Sequence, residues 1–145
     1  MSAFALLDTS VWSRLWDGRI AGDAAVTLLE RIERGEIAIT QPLALELRFS
    51  ARDDAAFTAL AERLSGLPNL DLDTRAADRA LNAQSQLGAT PGISHRVAIV
   101  DLLIAAVAER HSAAVLHYDA DFDRIAQHTD LRFESRWAVP QGSAR

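Results

Sequence analysis

Apolar positions along the chain come in short blocks divided by charged turns. Phe4-Ala5-Leu6-Leu7 stops at Asp8-Thr9-Ser10, the pattern of a strand delivering into helix-capping residues. Val11 to Trp16 then reads as helix, broken by Asp17-Gly18. Between Ala24 and Arg34, Val26, Leu29 and Ile32 recur at helical spacing, and Gly35 closes the segment. Glu36 to Thr40 predicts a second strand, and Pro42 opens another helix at a position proline favours. Asp53-Asp54 start a helix over Ala55 to Leu64 that ends at Gly66 and Pro68. Leu70-Asp71-Leu72 alternates like a short strand, and Thr74 to Leu87 is a long alanine-rich helix. After the loop Ala89-Thr90-Pro91-Gly92, Val97 to Glu109 carries the clearest helical pattern of the chain. Ala113 to Tyr118 reads as strand, Ala120 to about Thr129 as helix, and Leu131 to Arg136 as a last strand before the loose end AVPQGSAR.

Strands alternating with helices predict an α/β fold with a short, mostly parallel sheet covered by helices on both faces. No repeat, low-complexity tract or linker interrupts it. One domain over residues 1–136, with 137–145 as a C-terminal tail, is the expected organisation.

Composition narrows the chemistry. At 145 residues and 49% apolar content the chain is long enough for a single well-buried core. It has no cysteine, which removes disulfides, thiolate zinc sites and cysteine nucleophiles. All fifteen basic residues are arginine, so mechanisms that need an active-site lysine are excluded. A net charge of −5 argues against binding nucleic acid through a broad basic surface. It permits a local acidic centre flanked by arginines. MSAFALLDTS lacks the basic flank and apolar length of a signal peptide, and no run is long enough to span a bilayer. A cytoplasmic location without a membrane partner is expected.

The stretch VLHYDADFDRIA places three aspartates, Asp119, Asp121 and Asp123, at alternate positions after an apolar run. In open α/β sheets ligands bind beyond the carboxyl ends of the strands. Two predicted strands deliver an aspartate there, Asp8 and Asp119. For Asp8, helix capping is the plainer role, but Thr9 and Ser10 could cap equally well and leave its carboxylate free. In RVAIVDLLIAAVAERH the apolar stripe Val97, Val100, Ile104, Val107 contains Asp101. A carboxylate there is costly unless paired or bound to a cation. The helix dipole equally favours an aspartate in that turn, and the segment alone gives the two readings equal weight. Glu46 lies between Leu43 and Leu47 on one helical face, where a salt bridge to Arg48 or Arg52 is the simpler account. Coincidence changes the balance. Four acids at positions where an acid is expensive suit Mg²⁺ or Mn²⁺, which bind few carboxylates and meet phosphates. Asp121 is a fifth ligand candidate, and Asp123 is expected to face solvent or cap the last helix.

LLDTSVWSRL, Glu46 within LALEL, VDLLIAAVAE and VLHYDADFDRIA, in that order, resemble the PIN-domain ribonucleases, and most nearly the VapC toxins of toxin–antitoxin pairs. The likeness spans nearly the whole chain, including Trp137 and the Val139-Pro140-Gln141-Gly142 ending. It implies a compact α/β domain whose acids bind Mg²⁺ or Mn²⁺ and hydrolyse RNA. Residue by residue, Asp8, Glu46, Asp101 and Asp119 fall on the family's acidic quartet, and Thr9 or Ser10 on its supporting hydroxyl. Where many relatives have Thr or Ser before the fourth acid, this chain has His117-Tyr118. The resemblance further implies a VapB-type antitoxin as partner and a homodimer.

The mechanism implied is in-line attack of a water activated at the metal centre. Arg96, beside the Asp101 helix, is the first candidate for a substrate phosphate, although surface solvation is its commoner role. His95, His111, His117 and His128 are scattered and are read as structural or RNA-contacting. Trp12 and Trp16, four apart on one helix, are usually core, but an exposed pair would suit a partner groove. A receiver domain or haloacid-dehalogenase-type phosphatase would need a lysine this chain lacks. A metal-dependent DNase and a catalytically silent PIN-like interaction module remain the alternatives.

Overall fold

The computed structural model of the protein describes residues 4–144. β1 (Ala5–Leu7) runs directly into α1 (Thr9–Trp16), and α2 (Gly22–Glu33) returns the chain to β2 (Ile37–Ala38). Four helices follow: α3 (Gln41–Phe49), α4 (Asp54–Ser65), α5 (Thr74–Ala89) and α6 (Ile99–His111). The chain then re-enters the sheet as β3 (Ala114–His117), crosses through α7 (Ala120–His128) and ends in β4 (Glu134–Trp137). Strand order is β2-β1-β3-β4, with every pairing parallel.

Ala5, Leu6 and Leu7 are all fully buried, although successive strand residues point to opposite faces. Both faces of the sheet centre are therefore covered, as parallel sheets require. The register pairs Leu7 with Leu116, so β1 and β3 end at the same level. The Asp8 N–H extends that ladder by donating to the Leu116 carbonyl at 3.0 Å.

Local chemistry sets the helix starts. Pro42 sits in the first turn of α3. The carboxylates of Asp53 and Asp73 cap α4 and α5 by accepting from Ala56 N–H (2.8 Å) and Ala76 N–H (2.9 Å). α6 packs against β1, β3, α3, α5 and α7. Leu102 and Ile104 to Ala108 are all buried, so its apolar surface is wider than one stripe. No helix among the described residues is long and apolar enough to cross a membrane.

Two expectations are corrected. Leu70-Asp71-Leu72 forms no strand; the preceding Asn69 makes only an isolated bridge with Ile39, just beyond β2, and no further pairing follows. The helix expected from Val97 begins at Ile99, with Ala98 extended at φ −57°, ψ 132°. Val97 is still buried, but as part of the lead-in rather than the helix.

Candidate metal centre

The parallel ends of β1 and β3 hold Asp8 and Asp119 side by side, and each aspartate caps the helix that follows. Asp8 Oδ2 accepts from the Ser10 N–H at 3.2 Å and from the Ser10 hydroxyl at 2.7 Å. Asp119 Oδ1 accepts from the Asp121 N–H at 3.0 Å. Thr9 and Ser10 are thus not the caps of α1. Asp8 caps with one oxygen and keeps the other free. Ser10 ties the two strand ends together, since its hydroxyl also accepts from the Tyr118 N–H at 2.9 Å.

Glu46 approaches from α3. Its carboxylate accepts a short hydrogen bond from the Thr9 hydroxyl, 37 residues away in sequence. Among the described residues it forms no ion pair with Arg48 or Arg52, so the local salt bridge is replaced by a tertiary contact. Asp101 comes from the first turn of α6 and is only 5% exposed.

One oxygen from each of Asp101, Asp119 and Asp121 lies within 4.8 Å of the others, an arrangement able to hold a metal ion. Asp8 and Glu46 stand outside that trio but close enough for their charges to act on Asp101. Burial first, then the charges of Asp8, Asp119, Glu46 and Asp121, push the Asp101 carboxyl up to about 8. Burial also raises Asp8 above the usual carboxylate range, opposed by its hydrogen bonds to Ser10.

Among the described residues, two buried side-chain oxygens have no hydrogen-bond partner, Asp8 Oδ1 and Asp101 Oδ2. An ionised oxygen buried without a donor is unfavourable by itself. A divalent cation held by these acids would offset the repulsion that adds to burial in raising Asp101. The donors are carboxylate oxygens without sulfur or imidazole, which fits a hard cation. Asp121 also accepts from Arg124 Nη1 at 3.0 Å, so its two oxygens can serve the centre and the helix surface at once.

The remaining expected residues are placed as follows. Arg96 is exposed in the loop before α6, where Ser94 Oγ accepts its main-chain N–H at 3.0 Å, and its guanidinium bonds none of the acids. Trp12 is buried, whereas Trp16 is half-buried, their rings 5.2 Å apart. Asp123 neither caps α7 nor simply faces solvent: it accepts from Ser135 Oγ (2.8 Å) and Trp137 Nε1 (2.7 Å), tying β4 to α7.

One residue was not foreseen, Arg14, and one was read only as structural or RNA-contacting, His117. Arg14, one turn beyond Ser10, lays its guanidinium over the Tyr118 ring at 4.4 Å and donates to the Ser10 carbonyl at 2.8 Å. Its i+4 spacing from Ser10 was the available signal. His117 is fully buried at the end of β3, and burial lowers its pKa against the raising effect of Asp123 and Asp119. Strand alternation already places it on the same face as the core residue Val115.

The chain matches the PIN domain over residues 5–127. It is similar to ribonuclease VapC11 of Mycobacterium tuberculosis, 38% identical over 133 residues that cover 90% of this chain and 97% of that protein. Ribonuclease VapC51 of the same organism is 41% identical over 138 residues, 95% of each chain. Among solved structures, VapBC-5 of Mycobacterium tuberculosis, described as a member of the VapBC family of toxin-antitoxin systems, matches with a TM-score of 0.61. It is 26% identical and covers 92% of this chain and 98% of that one.

Proposed function

The chain belongs to the PIN-domain family and to its VapC ribonucleases, and from that premise we propose that it is a Mg²⁺- or Mn²⁺-dependent endoribonuclease acting as the toxin of a type II toxin–antitoxin pair. The observation that carries this reading is the meeting of Asp101, Asp119 and Asp121 beside unpartnered buried oxygens on Asp8 and Asp101.

Asp8, Asp101 and Asp119 would hold the cation, with Glu46 and Asp121 completing the acidic rim. A bound Mg²⁺ or Mn²⁺ would supply the charge that polarises the scissile phosphodiester and the acidity that makes water a nucleophile. Thr9 orients Glu46, and Ser10 orients Asp8 while fixing the main chain before Asp119. Arg96 and Arg14, neither paired with a carboxylate among the described residues, are suited to neighbouring phosphates of an RNA strand.

An amphipathic helix of a VapB-type antitoxin fits the groove lined by Leu15, Trp16, Ile20, Ala25, Leu29 and Ile32, where Leu29 is 51% exposed. A cytoplasmic homodimer completes the proposal.

The test is cleavage of RNA by purified protein in Mg²⁺ or Mn²⁺, with EDTA as control. Metal-dependent cleavage is expected. Full activity in EDTA refutes the mechanism. Cleavage of DNA alone changes the substrate, and antitoxin binding without any cleavage reduces the chain to an interaction module.

A further inference from the structure

We infer that His117 is a positioning residue for the proposed metal centre: its Nδ1 accepts the main-chain N–H of Asp119 and so sets the carboxylate of that ligand. The inference rests on the nuclease reading above and concerns a residue outside the acidic set. The hydrogen bond from Asp119 N–H to His117 Nδ1 is 3.3 Å long. An N–H pointing at Nδ1 requires that nitrogen to be unprotonated, so the ring proton sits on Nε2.

The rest of the ring's surroundings agree with that tautomer. Nε2 lies 2.8 Å from Ser135 Oγ. Ser135 in turn donates to Asp123 Oδ1 at 2.8 Å, which leaves its oxygen free to accept from Nε2–H. Asp123 Oδ2 accepts from Trp137 Nε1 at 2.7 Å. Donors and acceptors thus alternate without conflict from the Asp119 main chain to the α7 surface. Rotating the ring by 180° about its Cβ–Cγ bond would break both ends of that series.

The ring is also clamped sterically. Phe122 stacks on it at 5.1 Å with 23° between planes, and Trp137 meets it edge-on at 5.2 Å. Asp119 is consequently held by neighbours on both sides: Tyr118 N–H is anchored to Ser10, and its own N–H to a ring that cannot turn. Its side chain caps α7 with Oδ1, and one of its oxygens lies within 4.8 Å of those of Asp101 and Asp121. A partner behind a metal ligand that fixes its direction is the usual way a protein tunes a cation site.

The experiment separates the two nitrogens. His117→Asn puts an amide oxygen where Nδ1 stood and keeps the acceptor for Asp119. His117→Gln instead reaches Ser135 and leaves the Asp119 N–H without a partner. Mn²⁺ affinity is read by electron paramagnetic resonance on folded protein, with RNA cleavage measured in parallel. His117→Gln is expected to weaken Mn²⁺ binding roughly tenfold, the order seen for partners behind metal ligands. His117→Asn is expected to keep the wild-type affinity even where its melting temperature falls. Equal affinities in both variants, or equal losses, overturn the inference while leaving the nuclease reading intact. Absence of saturable Mn²⁺ binding in the wild type overturns both. Should neither variant fold, ¹⁵N spectra of the wild-type histidines decide: an Nε2–H tautomer at His117 supports the inference, and an Nδ1–H tautomer refutes it.

Discussion

Asp8 and Asp101, 93 positions apart in sequence, each keep one buried carboxylate oxygen without a hydrogen-bond donor; burial raises the proton affinity of both, and the charge of Asp8 raises that of Asp101 further. Replacing Asp101 by Asn preserves volume and removes a carboxyl group that the folded metal-free protein must keep protonated below about pH 8. The metal-free Asp101→Asn protein is therefore expected to be as stable as wild type or more so. Cleavage should fall by orders of magnitude, and the rise in melting temperature on adding Mg²⁺ should shrink. A loss of roughly 0.3–1 kcal/mol with activity intact would instead mark Asp101 as only a helix-dipole residue.

Burial, with the repulsion added to it, sets a pH dependence. Asp101 titrates near 8 in the folded protein and near 3.8 when exposed, so between those values the folded state holds a proton that the unfolded state has lost. The Asp101 contribution to the stability of the metal-free protein then falls as pH rises from about 4 to 8 and levels off above the folded value, against a smaller opposite contribution from the lowered His117. Thermal melts in EDTA across that range should show this decline in the difference between wild type and Asp101→Asn. Metal binding should release protons and strengthen with pH through the same window, which calorimetry in buffers of different ionisation enthalpy will read.

How far the chain could be read follows from which signals are local. The run from Phe4 to Leu7 and the run from Ala113 to Tyr118 each announce a strand, and each hands an aspartate to a helix start; those features are adjacent in sequence. Asp101 was visible because an acid within an apolar helix violates the pattern around it. Leu70 to Leu72 misled for the opposite reason: alternation describes a segment, whereas a strand also needs a partner at the right register. The links Thr9–Glu46 and Asp123–Trp137 join residues 37 and 14 positions apart on different elements. No periodicity encodes such a pairing. It exists only once the sheet has brought the elements together.

Thr9 offers a test of one such link. Its hydroxyl donates to Glu46, while its backbone begins α1. Thr9→Val keeps the shape and removes the donor; Thr9→Ser keeps the donor. Thr9→Val is expected to lower cleavage roughly tenfold, the scale for losing a partner that orients a metal-site acid. Thr9→Ser should stay near wild type. Equal activity in both variants would leave Glu46 without a need for that hydroxyl.

Trp137→Phe probes the tie between β4 and α7. It retains most of the ring packing on His117 and Tyr118 but removes the Nε1–H that Asp123 accepts. Asp123 is 37% exposed, so water replaces part of the lost bond. The expected cost is about 1 kcal/mol, to be measured by urea unfolding. Asp123→Ala removes the acceptor for both Trp137 and Ser135 and should cost more.

Product chemistry gives the remaining prediction. Attack on phosphorus by the RNA's own 2′-hydroxyl needs a base to take its proton and an acid for the leaving oxygen, commonly a pair of histidines. Here His117 is engaged at both nitrogens, and His111 Nε2 lies 3.0 Å from the Asp71 carbonyl oxygen. His95 is exposed in the loop before α6, and His128 closes α7. No two of them face the acidic centre together. Under the proposed mechanism water is the nucleophile: its oxygen bonds to phosphorus, the bond to the 3′ oxygen breaks, and a proton passes to that oxygen. Fragments should carry 5′-phosphate and 3′-hydroxyl ends and ligate to adaptors without prior kinase or phosphatase treatment. Fragments ending in a 2′,3′-cyclic phosphate would require a different catalytic group and would remove the acids from the chemical step.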